Sequence, residues 1–441
     1  MMSRIASRHD MHDELINYHA HHTGEADPLH PVIFLHRNKK FILQECCGKN
    51  WRSLVATGVL DCLKDGFDYS VSCGAWAVGG VKNTLQSTIG DVIRSSLFFP
   101  DPLNKFSPAH FEECRNVLNP EIADPIHYPR KKETLQLFTH EEKTIEFTLG
   151  NATYRAKVHV FTTNFVDATE THTCVRVGGS DEALALTSIR LMPFLTAFSD
   201  HADQTKNLRL IQLSLFDIDQ QEGEKFSVWK PPTFNSVNKV VFALMDELRN
   251  QGYSIDSMMC HSMGSASLDG LDEYDPAKVP NILILDRALP SVWKVGGQLL
   301  NPITYYIVYS LAYFSKWTGD PEESLMRFFT KMKADPEHSK SLADRKVVII
   351  ETIDDFYFSG YGAFNRNLAK TLNDLGVSAF QHQFSLNPIR FHPRAHHALS
   401  ADQLANTTGE AIGEECFHIR PRQNVSSAIV QNVFLNKPKE F

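Results

Sequence analysis

The chain has 441 residues, 42% of them hydrophobic and 22% charged, enough for a large core and more than one folding unit. A formal net charge of −8 and no basic stripe set nucleic acid aside as a ligand. The eight cysteines, at 46, 47, 62, 73, 114, 174, 260 and 416, show no CxxC pair and no metal-finger spacing, so they read as reduced thiols of a cytosolic protein.

The N-terminus, MMSRIASRHDMHDELINYHAHH, is polar and His-rich and lacks the apolar run of a Sec signal peptide. Residues 1–27 are expected to be a solvated, poorly ordered end. Residues 28–143 read as an α+β extension of short strands and helices, punctuated by Pro100-Asp101-Pro102, Asn119-Pro120 and Tyr128-Pro129. Within it, the Gly-rich stretch Cys73–Gly80 lacks both the Lys-Ser/Thr of a phosphate loop and the spacing of a dinucleotide fingerprint, and is read as structural. No internal repeat or low-complexity linker interrupts the chain.

From residue 144 to the end, strands and helices alternate. Thr144–Leu149 and Tyr154–Thr163 read as strands joined by a Gly150-Asn151 turn, a hairpin signal. Thr173–Val177 is a strand running into Gly178-Gly179-Ser180, and Glu182–Phe198 is helical. Leu208–Phe216 is a strand, and Asn235–Asn250 is a helix with Gly252 just past its end. Ile255–Cys260 and Asn281–Leu285 are strands, residues 290–340 are mostly helical, and Lys346–Ile350 is a strand. Ala363–Leu375 is a helix closed by Gly376, Val377–Leu386 is the last strand, and two helical stretches finish the chain. This alternation predicts an α/β fold: a mainly parallel sheet with right-handed crossovers and helices on both faces, begun by an antiparallel hairpin.

The stretch IDSMMCHSMGSASL places His261-Ser262-Met263-Gly264 directly after a strand, with small residues following as at a helix start. A sharp strand-to-helix turn there would stand the Ser262 hydroxyl exposed above the sheet, and would need small residues two before and two after it. Gly264 meets that need, and Cys260 stands where glycine is usual. The segment resembles the GHSMG nucleophile elbow of α/β-hydrolase lipases, esterases and acyl hydrolases, and the order of elements over about 144 to 435 is similar to that superfamily.

The resemblance implies a serine hydrolase with Ser262 as nucleophile, in the chain order Ser, acid, His. In the family the acid lies a few residues past the strand that is Lys346–Ile350 here, in a G-x-x-D pattern. Asp354 aligns with that aspartate, although Glu351 replaces the glycine. Asp355 and Asp286, the position some lipases use, are alternatives. The family's catalytic histidine follows the last strand in a small-residue-His pattern, which His396 fits, with His397 and His392 of the same loop as alternatives. The oxyanion needs two backbone donors, expected from Met263 and from Gly179 or Ser180. This chemistry needs no metal ion or other cofactor.

The insertion at about 288–345 resembles a cap and is rich in aromatics, among them Trp293, Tyr305, Tyr306, Tyr309, Tyr313, Phe314 and Trp317. Such a surface suits a lipophilic ester, a lipid or lysophospholipid acyl ester, and the alternative is that it packs the cap's own core. The Tyr305–Phe314 run is too short to cross a bilayer of roughly 30 Å as a helix, though it can touch lipid, so peripheral membrane contact through the cap is expected. Asp286–Ser291 is similar to a segment of membrane-associated BEM46-like serine hydrolases. The long N-terminal addition and the short aromatic cap resemble lipase-like effectors secreted by intracellular bacteria such as Legionella. The expected location is thus cytoplasmic, or a host cell reached by a specialised secretion system. The alternatives to an esterase are a peptidase or thioesterase on the same machinery, or a binding protein that kept the fold without catalysis.

Overall fold

The structure is a computed structural model that describes residues 32–35, 41–44, 87–99, 108–122, 130–179, 182–201, 205–300, 302–352 and 363–384. Val32–Leu35 (β1) and Phe41–Gln44 (β2) pair antiparallel as a separate two-stranded sheet. The expected end of residues 1–27, the Gly-rich Cys73–Gly80 stretch and the last helical stretches lie outside the described residues.

The main sheet opens with the expected hairpin. Phe138–Leu149 (β3) and Ala152–Thr163 (β4) pair antiparallel with Leu149 opposite Ala152, and Gly150 turns the chain at φ 62°. β3 begins at Phe138 rather than Thr144. The stretch Thr139–Lys143 is polar, but its pairing with β4, His140 opposite Phe161 and Glu142 opposite His159, holds it in the sheet. Glu170–Val177 (β5) leads into the helix Leu184–His201 (α3), after the helices Pro108–Val117 (α1) and Lys131–Gln136 (α2). Lys206–Glu222 (β6) outruns its expected end at Phe216 and turns back at Gly223, φ 64°, into a strand the sequence reading passed over, Lys225–Val228 (β7).

Phe234–Asn250 (α4) starts at a capping box, in which Thr233 Oγ1 accepts from the Ser236 N–H and the Thr233 N–H donates to Ser236 Oγ. It buries Val237, Val240, Val241, Leu244, Met245 and Leu248, one stripe at helical spacing. Four parallel strands follow: Ser257–His261 (β8), Ile282–Asp286 (β9), Lys346–Thr352 (β10) and Ser378–Phe384 (β11), the last after the short helix Leu368–Leu375 (α8).

The strand order is β11-β10-β9-β8-β5-β6-β4-β3, with β7 on β6. All neighbours from β6 to β11 run parallel, and β4 runs antiparallel to both β3 and β6. Together with the helices this is the α/β-hydrolase fold. The chain passes from β5 to β6 on one side, then crosses by α4 to β8 on the other. The order therefore reverses between β5 and β8, the crevice at which open α/β sheets place their ligands.

Alternate residues of the central strands enter two apolar layers. Met258, Cys260, Leu283, Leu285, Val347 and Ile349 join the α4 stripe, whereas Met259, Ile284, Val348 and Ile350 join Leu191, Leu195 and Phe198 of α3. Helices thus cover both faces.

Between β9 and β10 the stretch expected as a cap forms Val292–Leu299 (α5), Pro302–Phe314 (α6), Pro321–Ala334 (α7) and a 3₁₀ turn, Ser339–Asp344. Residues 87–93 are helical and continue into a π turn, Arg94–Phe98, that stacks Phe98 on Trp317 at 5.5 Å and sets Phe99 edge-on to the same ring. Part of the N-terminal region therefore packs against the cap's own base. Of the cap aromatics, Tyr305, Trp317, Phe328 and Phe329 are buried, while Trp293, Tyr306, Tyr313 and Phe314 are exposed.

Candidate active site

All five residues of β8 are buried, so the strand delivers its end to a fixed place in the sheet. Ser262 follows at φ 51°, in the left-handed region that a side-chain-bearing residue enters only when its surroundings force it. A 3₁₀ turn, Ser262–Leu268, follows where a helix start was expected. The Leu289 N–H donates to the Ser262 carbonyl at 3.1 Å, and the Ser265 hydroxyl lies 2.9 Å from both the Ser262 and Leu289 carbonyls. These contacts tie the turn to the first residues of the cap insertion.

Gly264 is required by packing: a Cβ there would lie 2.3 Å from the Val177 carbonyl oxygen. The small residue two positions after the serine thus admits the end of β5. Cys260, two before it, points into the core 3.5 Å from Ser267 Oγ, and burial pushes its thiol up to about 12. It is an inert filler that fits where glycine was expected.

Gly178 and Gly179 face this turn from the end of β5. A Cβ on Gly179 would lie 2.7 Å from Ser262 Cβ, and one on Gly178 would lie 2.5 Å from Glu182 Oε2. The Gly-Gly turn thus lies close against Ser262, and its Gly179 N–H already has a partner. That N–H donates to Glu182 Oε2 at 3.0 Å, and the Glu182 N–H returns to the Gly179 carbonyl at 3.3 Å. A peptide N–H held by a buried carboxylate is not free for an oxyanion.

Glu182 belongs to a buried series of charged groups beneath the carboxyl edge of the sheet. Arg176 Nη1 and Nη2 donate to its two oxygens at 2.9 and 3.2 Å, and Nη1 also reaches Gln212 Oε1 at 2.8 Å. His261 stands next, with Nε2 3.5 Å from Glu182 Oε1 and Nδ1 3.1 Å from Asp286 Oδ2. Arg287 closes the series, donating through Nε to Asp286 Oδ1 at 2.8 Å and through Nη2 to Oδ2 at 2.9 Å. The Arg287 backbone sits at φ 43°, and its N–H donates to the Ile350 carbonyl at 2.8 Å.

All five residues are buried, a setting in which charges persist only when paired. Burial pushes the Asp286 carboxyl up, but the Arg287 and His261 beside it prevail and hold it well below the usual carboxylate range. Burial brings the Arg176 guanidinium down to about 10, so it stays a cation at neutral pH.

The structure thus brings Ser262, Met263, Gly179 and Asp286 together at the carboxyl ends of β5, β8 and β9, with His261 opposite Asp286 in the ladder. Ser180, Asp354, Asp355, His392, His396 and His397 lie outside the described residues. Ser262 is 3% exposed, so its turn is covered rather than standing open above the sheet as expected. Arg176, Glu182, His261 and Arg287 escaped the sequence reading. The one local signal was an arginine and a histidine inside otherwise apolar strands, TCVRV and SMMCH. Among the described residues no group of three or more His, Cys, Asp or Glu is placed to hold a metal ion, and no helix is long and apolar enough to cross a membrane.

No family model matches the chain, and no curated protein matches it. Among solved structures it is similar to EstE1, a thermostable carboxylesterase cloned from a metagenomic library, at 12% identity and a TM-score of 0.35 over 68% of this chain and 95% of that one. A hyperthermophilic esterase from the archaeon Pyrobaculum calidifontis matches at 12% identity and a TM-score of 0.35, covering 69% of this chain and 96% of that one. An acylaminoacyl peptidase of Pyrococcus horikoshii matches at 11% identity and a TM-score of 0.36, covering 63% of this chain and 43% of that one. The fold assignment itself rests on the strand order, and any chemistry rests on the surroundings of Ser262.

Proposed function

We propose that the protein is a serine hydrolase that cleaves carboxylic esters, with Ser262 as its nucleophile. One observation carries the reading: a serine held at φ 51° where the central strand β8 ends, at the switch point of a parallel sheet, with glycines 179 and 264 making room around it. Such strain persists only where the surrounding structure over-determines it, and it collects at catalytic turns.

In this reading the Ser262 oxygen attacks the ester carbonyl while an imidazole from residues 387–399 takes its proton. His396 is the first candidate, then His397 and His392. The collapsing intermediate expels the alcohol, which receives that proton, and water then releases the acid from the acyl-serine. Asp354 or Asp355 orients the imidazole. Both Asp286 oxygens are already engaged by Arg287 and His261, which favours the other two. The Met263 N–H serves the oxyanion, and the second donor falls to Ser180 because the Gly179 N–H is taken.

The substrate is lipophilic, a lipid or lysophospholipid acyl ester met at a lipid surface. The support is α6: Tyr306, Ile307, Tyr313 and Phe314 are exposed along a helix without a single charged side chain, and tyrosine suits the boundary between lipid and water. A second reading, a binding protein without catalysis, is favoured by the burial of Ser262.

A fluorophosphonate probe separates the two. Labelling of the full chain that vanishes in Ser262→Ala, with hydrolysis of p-nitrophenyl esters rising with acyl length, is the expected result. An unlabelled wild type sinks the hydrolase. Faster turnover of a thioester or a peptide anilide than of any ester moves the substrate class instead.

A further inference from the structure

The buried charges beneath Ser262 do more than satisfy one another. We propose that Glu182 is a positioning residue that sets the direction of the Gly178–Gly179 peptide beside the nucleophile, with Arg176 as the group that makes its charge tolerable there. The inference rests on the hydrolase reading and concerns how the same site is prepared.

Three observations support it. The Glu182 carboxylate takes the Gly179 N–H at 3.0 Å and lies so close over Gly178 that no Cβ fits between them. Gly179 in turn touches the Ser262 side chain, since a Cβ there would lie 2.7 Å from Ser262 Cβ. With its N–H turned onto Glu182, this peptide fixes the course of the backbone that passes the serine. Without an acceptor the Gly-Gly pair is the most pliable part of the site, because glycine resists neither sign of φ. An oxyanion donor is effective only when its direction is fixed before the charge develops.

The third observation is the pairing of the carboxylate. A lone negative charge beside a developing oxyanion would oppose the reaction. Arg176 meets both Glu182 oxygens, and His261 links Glu182 to Asp286 and so to Arg287, leaving two guanidinium groups against two carboxylates. The series joins the turn after β5, the residue before Ser262 and the end of β9. Its last member reaches β10 through the Arg287 N–H to the Ile350 carbonyl. The acceptor at position 182, rather than the charge itself, is what the turn needs.

Two variants test this in the full chain. Arg176→Met with Glu182→Met removes both charges and the acceptor together, a replacement that buried ion pairs commonly tolerate. Glu182→Gln keeps an acceptor oxygen. In the double variant, kcat on a p-nitrophenyl ester should fall at least about 30-fold with KM within about threefold, and fluorophosphonate labelling of Ser262 should slow in parallel. Glu182→Gln should label within about fivefold of wild type. A purely structural role would lower the melting temperature without this split between kcat and KM.

A folded double variant that labels at the wild-type rate overturns the inference and leaves the hydrolase reading intact. So does a folded Glu182→Gln as slow as the double variant, which also decides the matter if the double variant does not fold. An unlabelled wild type overturns both.

Discussion

The turn at Ser262 and the cap helix α6 are built on opposite terms. Among the described residues around Ser262 the contacts are tight: Gly264 against the Val177 carbonyl, Gly179 against the serine side chain, and Glu182, His261 and Asp286 in hydrogen-bonding or ion-pair contact. On α6 three of the five aromatic side chains face outward, Tyr306, Tyr313 and Phe314, while Tyr305 and Tyr309 pack against Trp293 and Ala312 is buried. The difference teaches where each region can change. The turn admits almost no substitution because backbone atoms limit it. The exposed face of α6 can vary at little cost to the fold.

The sharpest test of this contrast is Gly264→Ala. The added methyl would meet a backbone carbonyl at 2.3 Å, which only movement of β5 or β8 can relieve. The variant should lose more than about 3 kcal/mol in denaturant unfolding or fail to fold. A stable, active Gly264→Ala would show that the turn is not over-determined.

A smaller effect is expected at the other end of the same strands, at His172 on β5. Burial brings its pKa down to about 4, against the raising influence of Asp256 and Glu170, and its Nε2 lies 2.9 Å from Ser257 Oγ at the start of β8. The folded pKa lies below the unfolded value of 6.5, so the unfolded chain binds the proton first. Stability is therefore complete above about pH 6.5 and falls as the pH drops toward 4, by about 3 kcal/mol in all. Chemical denaturation from pH 7 to 4 should show a steeper loss for wild type than for His172→Gln. Parallel curves would remove His172 from the account of how β5 and β8 are joined.

The smallest effect on stability belongs to the cap. Tyr306→Ser with Tyr313→Ser should change unfolding free energy by less than about 0.5 kcal/mol at each site. The same pair should abolish co-sedimentation with phosphatidylcholine vesicles. A large loss of stability would mean that these rings are structural after all. Unaltered sedimentation would remove the lipid surface from the proposal.

Much of this was legible in the sequence because it depends on neighbours along the chain. Short apolar strands alternating with helices gave the parallel sheet, Gly150 gave the hairpin, and β8 followed by Ser262-Met263-Gly264 gave the turn. What the tertiary structure alone decided lies between segments far apart in sequence. The polar start of β3 is a strand because β4 pairs with it. The Gly179 N–H is spent on Glu182, and Ser262 is covered rather than open. Arg176, Glu182, His261, Asp286 and Arg287 form one buried series. Local propensity reports what a residue does to its own backbone. It carries no record of which distant carboxylate a buried arginine will meet, because burial fixes that partner only once the strands stand side by side.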